Sequence, residues 1–286
     1  MDDDEIVLAA RVVIAAGIRS FYDVPAELDA IAGPLCSHSA DHHSLARFAG
    51  KQVLVIGGGA SGIGIAALMS ERGASVTVAA RQSRIGYCDP HRPRSVLEKL
   101  QAPESGLGTG WRSLACVVAP MVLYQMPQDF RRLVVRKHLG PAPGWTSRDE
   151  VERNVSVMLG ARISGSATRG DLAAVTFRMP DGPDTTVEAE HVIAATGYKV
   201  NMRRLRFIGD GIMRQLDLAD QSPVLSRHFE TSVPGLFVVG TVAANSFGPM
   251  LRFAYGAGFT SRRLTQFLRR AAIRRSVAVN AELATA

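Results

Sequence analysis

The residues best suited to chemistry are three glycines and an arginine. Gly57-x-Gly59-x-x-Gly62 follows the apolar run Val53-Leu-Val-Ile56, and Arg81 lies 19 positions past the last glycine. In this spacing the first glycine permits a tight turn, the second lets the backbone approach a pyrophosphate, and the third lets a helix pack closely on a strand. The phosphates then rest on unpaired N–H groups at the positive end of the helix dipole. Ala60 and Ser61 lie inside the turn and belong to the same candidate site, as does Gln82 beside Arg81. A carboxylate at the end of the second strand binds a ribose 2′-hydroxyl, whereas an arginine there pairs with a 2′-phosphate. Arg81 therefore specifies NADP(H) rather than NAD(H).

The glycine pattern alone has three fixed positions, and a Gly-rich turn that binds nothing is its bland alternative. For Arg81 that alternative is a solvated surface arginine. The flanking elements supply the specificity. The strand Val53–Ile56 precedes the turn, a helix over Ile63–Arg72 stops at Gly73, and a second strand runs from Val76 to Ala80. This strand-turn-helix-strand order is the context the motif requires.

The 286 residues suffice for one large domain or two, and a 47% hydrophobic content indicates a globular chain. With no apolar run near 18 residues and no basic n-region at its start, the chain reads as cytoplasmic, with no membrane partner. Cys36, Cys88 and Cys116 are too few and too scattered for a disulfide framework or a tetrahedral metal site. The net charge of +7 and pI of about 9.8 come from dispersed arginines, with lysine only at 51, 99, 137 and 199. The cluster Arg269, Arg270, Arg274 and Arg275 lacks an aromatic stacking platform and suits a helix C-terminus, so no nucleic-acid partner is expected.

A repeat organises the rest. Arg11-Val-Val-Ile-Ala-Ala-Gly-Ile18 parallels His191-Val-Ile-Ala-Ala-Thr-Gly-Tyr198, and an acidic turn and short strand precede each: Asp2–Asp4 with Ile6–Leu8, and Asp181-Gly182 with Thr186–Ala189. Downstream, Val233-Pro-Gly-Leu-Phe-Val-Val-Gly240 reads as a turn feeding an apolar strand. Asn245-Ser-Phe-Gly248-Pro249 then opens a helix with a buried stripe at Phe253, Ala257, Thr260, Leu264 and Phe267.

On these motifs the chain resembles the two-dinucleotide-binding-domain flavoproteins, and among them the flavin-containing monooxygenase-like enzymes, over almost its whole length. The resemblance implies an α/β architecture: a Rossmann-like NAD(P)-binding domain with a partial FAD-binding domain. It places a remnant of the first FAD segment at 1–35, a linker at 36–50, the NADP domain at 51–200 with an insertion at 85–145, and the returning FAD segment at 201–286. It also makes Ala195, Thr196, Gly197 and Tyr198 the strand end facing the cofactor. Gly240, Thr241 and Gly248 would lie along FAD, with a helix N-terminus facing the flavin edge that becomes anionic on reduction.

Two departures qualify the likeness. Thr241 stands where related reductases often carry Asp. The FAD glycine motif should precede Val12, yet too few residues lie there for a βαβ unit of about 30. The expectation is a chain that starts inside a domain, with a possible partner chain supplying that segment.

The implied activity is NADPH-dependent, FAD-linked oxidoreduction of the monooxygenase kind on a small-molecule substrate. The alternatives are a non-catalytic NADP-binding module and one half of a split flavoprotein. The chemistry belongs to the cofactors, so no catalytic acid or base is assigned.

No Cys-x-x-Cys occurs, which removes the dithiol centre of the disulfide reductase branch. His38-x-x-x-His42 has metal-ligand spacing without a helix pattern or a third ligand, so no metal is expected. Gly33 and His38 loosely match the Phe-x-Gly-x-x-x-His fingerprint of the resembled monooxygenases. Met121, Leu123, Tyr124 and Met126 form an apolar cluster that reads as core or as a channel lining. Ser147 and Glu150 have capping-box spacing.

Overall fold

The computed structural model describes residues 6–31, 33–89 and 92–270. The acidic turn at Asp2–Asp4 and the arginines at 274 and 275 lie outside them. The chain divides into two compact units, one comprising residues 21–93 and 140–199, the other residues 1–20, 94–139 and 200–286.

The first unit is built on a parallel five-stranded sheet. Its spatial order is Cys36–His38, His191–Ala194, Gln52–Ile56, Ser75–Ala80 and Ser156–Leu159. Strands covered on both faces need near-continuous apolar sequence, and the central ones have it: Val53 to Ile56 and His191 to Ala194 are all buried. On one face lie the helices Ala60–Ser70 and Arg148–Asn154, enclosing Ile63, Ala66, Met69, Val76, Val78 and Val151. On the other lies an antiparallel sheet of Arg162–Arg169, Leu172–Arg178 and Thr185–Ala189, which packs Val175 and Phe177 on Leu54 and Val192.

The helix Ala60–Ser70 begins earlier than the expected Ile63 and ends two residues before the expected Arg72. Gly73, at φ +82°, turns the chain while the N–H groups of Ala74 and Gly73 donate to Met69 and Ser70. These bonds satisfy carbonyls that the helix end would leave orphaned.

Three expectations change in this unit. Cys36–His38, expected within a linker, is a strand in parallel register with Val192–Ala194. Leu28 and Ile31 join the same core as Leu54, so residues 21–50 pack with the dinucleotide unit. The capping box at Ser147 does not form: Ser147 closes a 3-10 turn in αR conformation, and Glu150 accepts from the Ser70 hydroxyl at 2.6 Å instead.

In the second unit Val12–Ile14 pairs in parallel with Leu236–Val238. Ile6–Leu8 forms no strand, so the repeat holds for the strand and not for the segment before it; of that strand only Ile14 is buried, with Val12 and Val13 exposed. Residues 94–139, the larger part of the insertion expected at 85–145 in the NADP domain, pack here in helices Trp111–Val118, Pro120–Gln125 and Gln128–Lys137. The cause is a set of specific contacts. Arg252 donates to the carbonyl of Val135 at 2.9 Å, Arg131 donates to that of Ser246 at 3.2 Å, and Tyr124 stacks on Phe247 at 5.1 Å. Arg252 thereby satisfies a carbonyl near the end of Gln128–Lys137, where a cation also complements the dipole.

The helix expected from Pro249 is interrupted. Pro249–Arg252 and Ala254–Gly256 are 3-10 turns, and α-helix runs over 257–270. Thr260 and Leu264 are buried, Phe267 is half-buried, and Phe253 and Ala257 are exposed, so the stripe begins about two turns later than its sequence suggests.

Candidate functional site

The glycine turn is fixed by atoms that leave no room for a side chain. Gly57, at φ +126°, would bring a Cβ within 2.3 Å of the Ala195 carbonyl oxygen, and one on Gly62 would lie 2.0 Å from the oxygen of Gly57. The glycine spacing therefore records close packing of helix, turn and the 191–194 strand. Gln82 supports the turn from two residues past the Ser75–Ala80 strand, its side-chain amide donating to Gly58 O at 2.9 Å.

The helix carries no side-chain cap at Gly59. Among the described residues no acceptor meets the N–H groups of Ser61 and Gly62, while that of Ala60 donates to Pro141 O at 2.9 Å. Arg81 directly follows the Ser75–Ala80 strand, is exposed, and forms no ion pair among the described residues. A pyrophosphate with two free donors and a 2′-phosphate with a free guanidinium fit these groups.

The Ala195–Tyr198 segment closes the site from behind. The Ala195 N–H donates to Ile56 O at 2.8 Å, and Gly197 takes φ +90°. The Thr196 hydroxyl donates to the Asp23 carbonyl, the Asp23 N–H donates to Gly197 O at 3.0 Å, and the Asp23 carboxylate pairs with Lys199 at 2.8 Å. Thr196 thus ties this segment to residues 21–23.

His38 completes the same support. Its Nδ1 accepts from the Ala40 N–H at 3.1 Å, so Nε2 carries the proton and donates to Gly197 O at 3.2 Å. The ring lies between Tyr22 and Tyr198, with centroids at 5.1 and 5.3 Å, and burial lowers its pKa.

His42 faces elsewhere. The Ser37 hydroxyl contacts His42 Nε2 at 2.9 Å and His191 Nε2 at 2.7 Å, and the Phe48 ring lies against both imidazoles. His191 also hydrogen-bonds the Pro34 backbone. One consistent proton order results: His191 donates to Pro34, Ser37 donates to His191, and His42 donates to Ser37. Among the described residues no group of three or more His, Cys, Asp or Glu is arranged to hold a metal ion.

Burial, then Arg47, His42 and Lys51, push His191 from the ordinary 6.5 down to about 4. Between these values the unfolded chain takes up a proton that the folded chain refuses. The stability is therefore complete above pH 6.5 and is lost as the pH falls toward about 4. The expected loss from this group is on the order of 3 kcal/mol. Urea midpoints at pH 7 and pH 4.5 should differ by more for wild type than for His191→Gln; equal differences would remove His191 as the cause.

In the other unit, Gly240 at φ +80° opens a 3-10 turn at the end of the Leu236–Val238 strand, and open space surrounds its Cβ position. Thr241 beside it is half-buried. Gly248 differs: a Cβ there would meet Leu123 Cδ2 at 2.4 Å, so a side chain of the 94–139 segment already covers it. The turn it opens is the four-residue 3-10 helix Pro249–Arg252, which lacks the aligned dipole expected of a long helix. Leu123 and Tyr124 serve as packing here, Met121 is half-buried and Met126 is exposed.

Sequence reasoning missed Pro141, Asp23 and the support role of His38. Each acts across a long separation, and the proline acts through a backbone carbonyl that leaves no signal in residue type.

Residues 2–100 match the protein family described as pyridine nucleotide-disulphide oxidoreductase. Among solved structures, the chain is similar to an ornithine N-hydroxylase of Kutzneria sp. 744 at 14% identity and TM-score 0.69, covering 92% of this chain and 64% of that one. An L-lysine 6-monooxygenase of Pseudomonas syringae matches at 15% identity and TM-score 0.65, over 91% and 63% of the two chains. A thioredoxin reductase of T. acidophilum matches at 18% identity and TM-score 0.54, over 92% and 67%. The fold is thus the mixed α/β, parallel-sheet architecture of the FAD/NAD(P) oxidoreductases, as the sequence resemblance implied. The chain spans between 60% and 64% of the length of the monooxygenase structures it matches.

Proposed function

We propose that this chain is an NADPH-dependent, FAD-linked oxidoreductase of the monooxygenase kind acting on a small molecule. The observation that carries the reading is the glycine turn. Gly57 and Gly62 are closed to side chains by Ala195 and Gly57, and among the described residues the N–H groups of Ser61 and Gly62 meet no acceptor and Arg81 forms no ion pair. Gly57, Gly59, Ala60, Ser61 and Gly62 hold the phosphates, Arg81 and Gln82 flank the adenosine ribose, and Ala195–Tyr198 back the turn. Gly240 and Thr241 receive FAD, and Gly248 does so once Leu123 moves. The Kutzneria neighbour, whose structure contains reduced FAD, NADP+ and L-ornithine, supports this assignment by shared fold.

When bound, the nicotinamide supplies hydride and the flavin supplies electrons to oxygen. The protein residues bind, orient and exclude water. Among the described residues no helix is long and apolar enough to cross a membrane.

The cover that Leu123 places on Gly248 favours a second reading, in which the dinucleotide unit binds NADP(H) and this chain alone performs no flavin chemistry. Purified protein decides between them. Yellow protein that bleaches anaerobically with NADPH is the expected result for the first; colourless protein that still binds NADPH in calorimetry selects the second.

A further inference from the structure

We propose that residues 140–144, Gly-Pro-Ala-Pro-Gly, form a strap that occupies the phosphate end of the Ala60–Ser70 helix and must leave for the dinucleotide to bind. The inference rests on the reading of that helix end as the NADP(H) site. The Ala60 N–H, a first-turn donor of the kind a pyrophosphate uses, is already bonded to Pro141 O at 2.9 Å. The Pro141 ring lies over Gly59: a Cβ on that glycine would meet its Cγ at 3.2 Å. Gly59 is the glycine whose missing side chain makes room for a pyrophosphate. The same space and one of the same donors therefore serve the chain's own carbonyl and ring.

The strap is fastened chiefly through Cys88, whose thiol also contacts Ala142 O at 3.8 Å. The Cys88 N–H donates to Pro143 O at 2.8 Å, the Ala142 N–H donates to Gly140 O at 2.9 Å, and Pro143 is buried while Pro141 is exposed. Proline lowers the entropy of the released segment and so favours the seated state. The seated carbonyl also satisfies a helix donor that would otherwise go unpaired in the empty protein. Dinucleotide affinity is reduced by the fraction of molecules with the strap seated.

Two measurements with NADP+ as the probe test this. In wild type, saturating NADP+ should speed hydrogen exchange at the Cys88 amide, because its acceptor Pro143 leaves. Pro141→Gly removes the ring over Gly59 and loosens the released segment while keeping the Pro143 anchor. It should bind NADP+ roughly two- to fivefold more tightly in calorimetry. Persistent Cys88 protection at saturation, with Pro141→Gly binding no tighter than wild type, overturns the strap and leaves the site reading standing. If neither protein binds NADP+, the site reading fails and the strap fails with it.

Discussion

Gly62→Ala should cost at least about 3 kcal/mol of folding stability and abolish NADP+ binding. The added methyl would lie 2.0 Å from Gly57 O and 3.0 Å from its carbonyl carbon, with the Ala195 Cβ at 3.2 Å. None of these is the free end of a flexible side chain. The helix must therefore move off the sheet, breaking the packing of Ile63, Ala66 and Met69 on Val53, Val76 and Ile193. Gly64→Ala is the control, two residues along the same helix, with nothing within 4 Å of its Cβ position. There the substitution should stabilise by about 0.4–1 kcal/mol, since alanine narrows the unfolded ensemble at no steric cost. Urea unfolding of both variants gives the test. A small loss at Gly62 would mean that the helix accommodates a side chain and that the glycine spacing reflects something other than close packing.

Arg81→Glu should lower the preference for NADPH over NADH by about 1.5–3 kcal/mol, a ten- to hundredfold change or more. A guanidinium makes charge-assisted bonds to a 2′-phosphate, while a carboxylate repels it and accepts from a ribose hydroxyl. Part of the change should therefore appear as tighter NADH binding. The exposure of Arg81 and its lack of an ion-pair partner among the described residues mean that removing it breaks no structural bridge there. Unfolding midpoints should accordingly stay close to wild type. Calorimetric titration with both nucleotides measures the ratio, and an unchanged ratio would remove Arg81 from the site.

The strand-turn-helix-strand unit around Gly57–Gly62 is legible in the order of residue types alone. That information is local: a few residues carry the apolar run, the backbone freedom of glycine and the helix stop at Gly73. Also legible is the 191–194 strand, because continuous apolar sequence ending in Ala-Thr-Gly marks a strand covered on both faces.

Other features depend on contacts between segments far apart in the chain. Cys36-Ser-His38 is short and polar, and it is a strand because 191–194 offers it a free edge. Residues 94–139 lie next to the dinucleotide motif in sequence, yet they pack where Arg252, Ser246 and Phe247 provide partners. Glu150 has capping-box spacing but meets Ser70, and Pro141 meets Gly59 from 82 positions away (141 minus 59). Each outcome depends on which surface a distant segment leaves to be buried or bonded. Backbone carbonyls, which every residue type carries alike, take that role without any mark in the sequence.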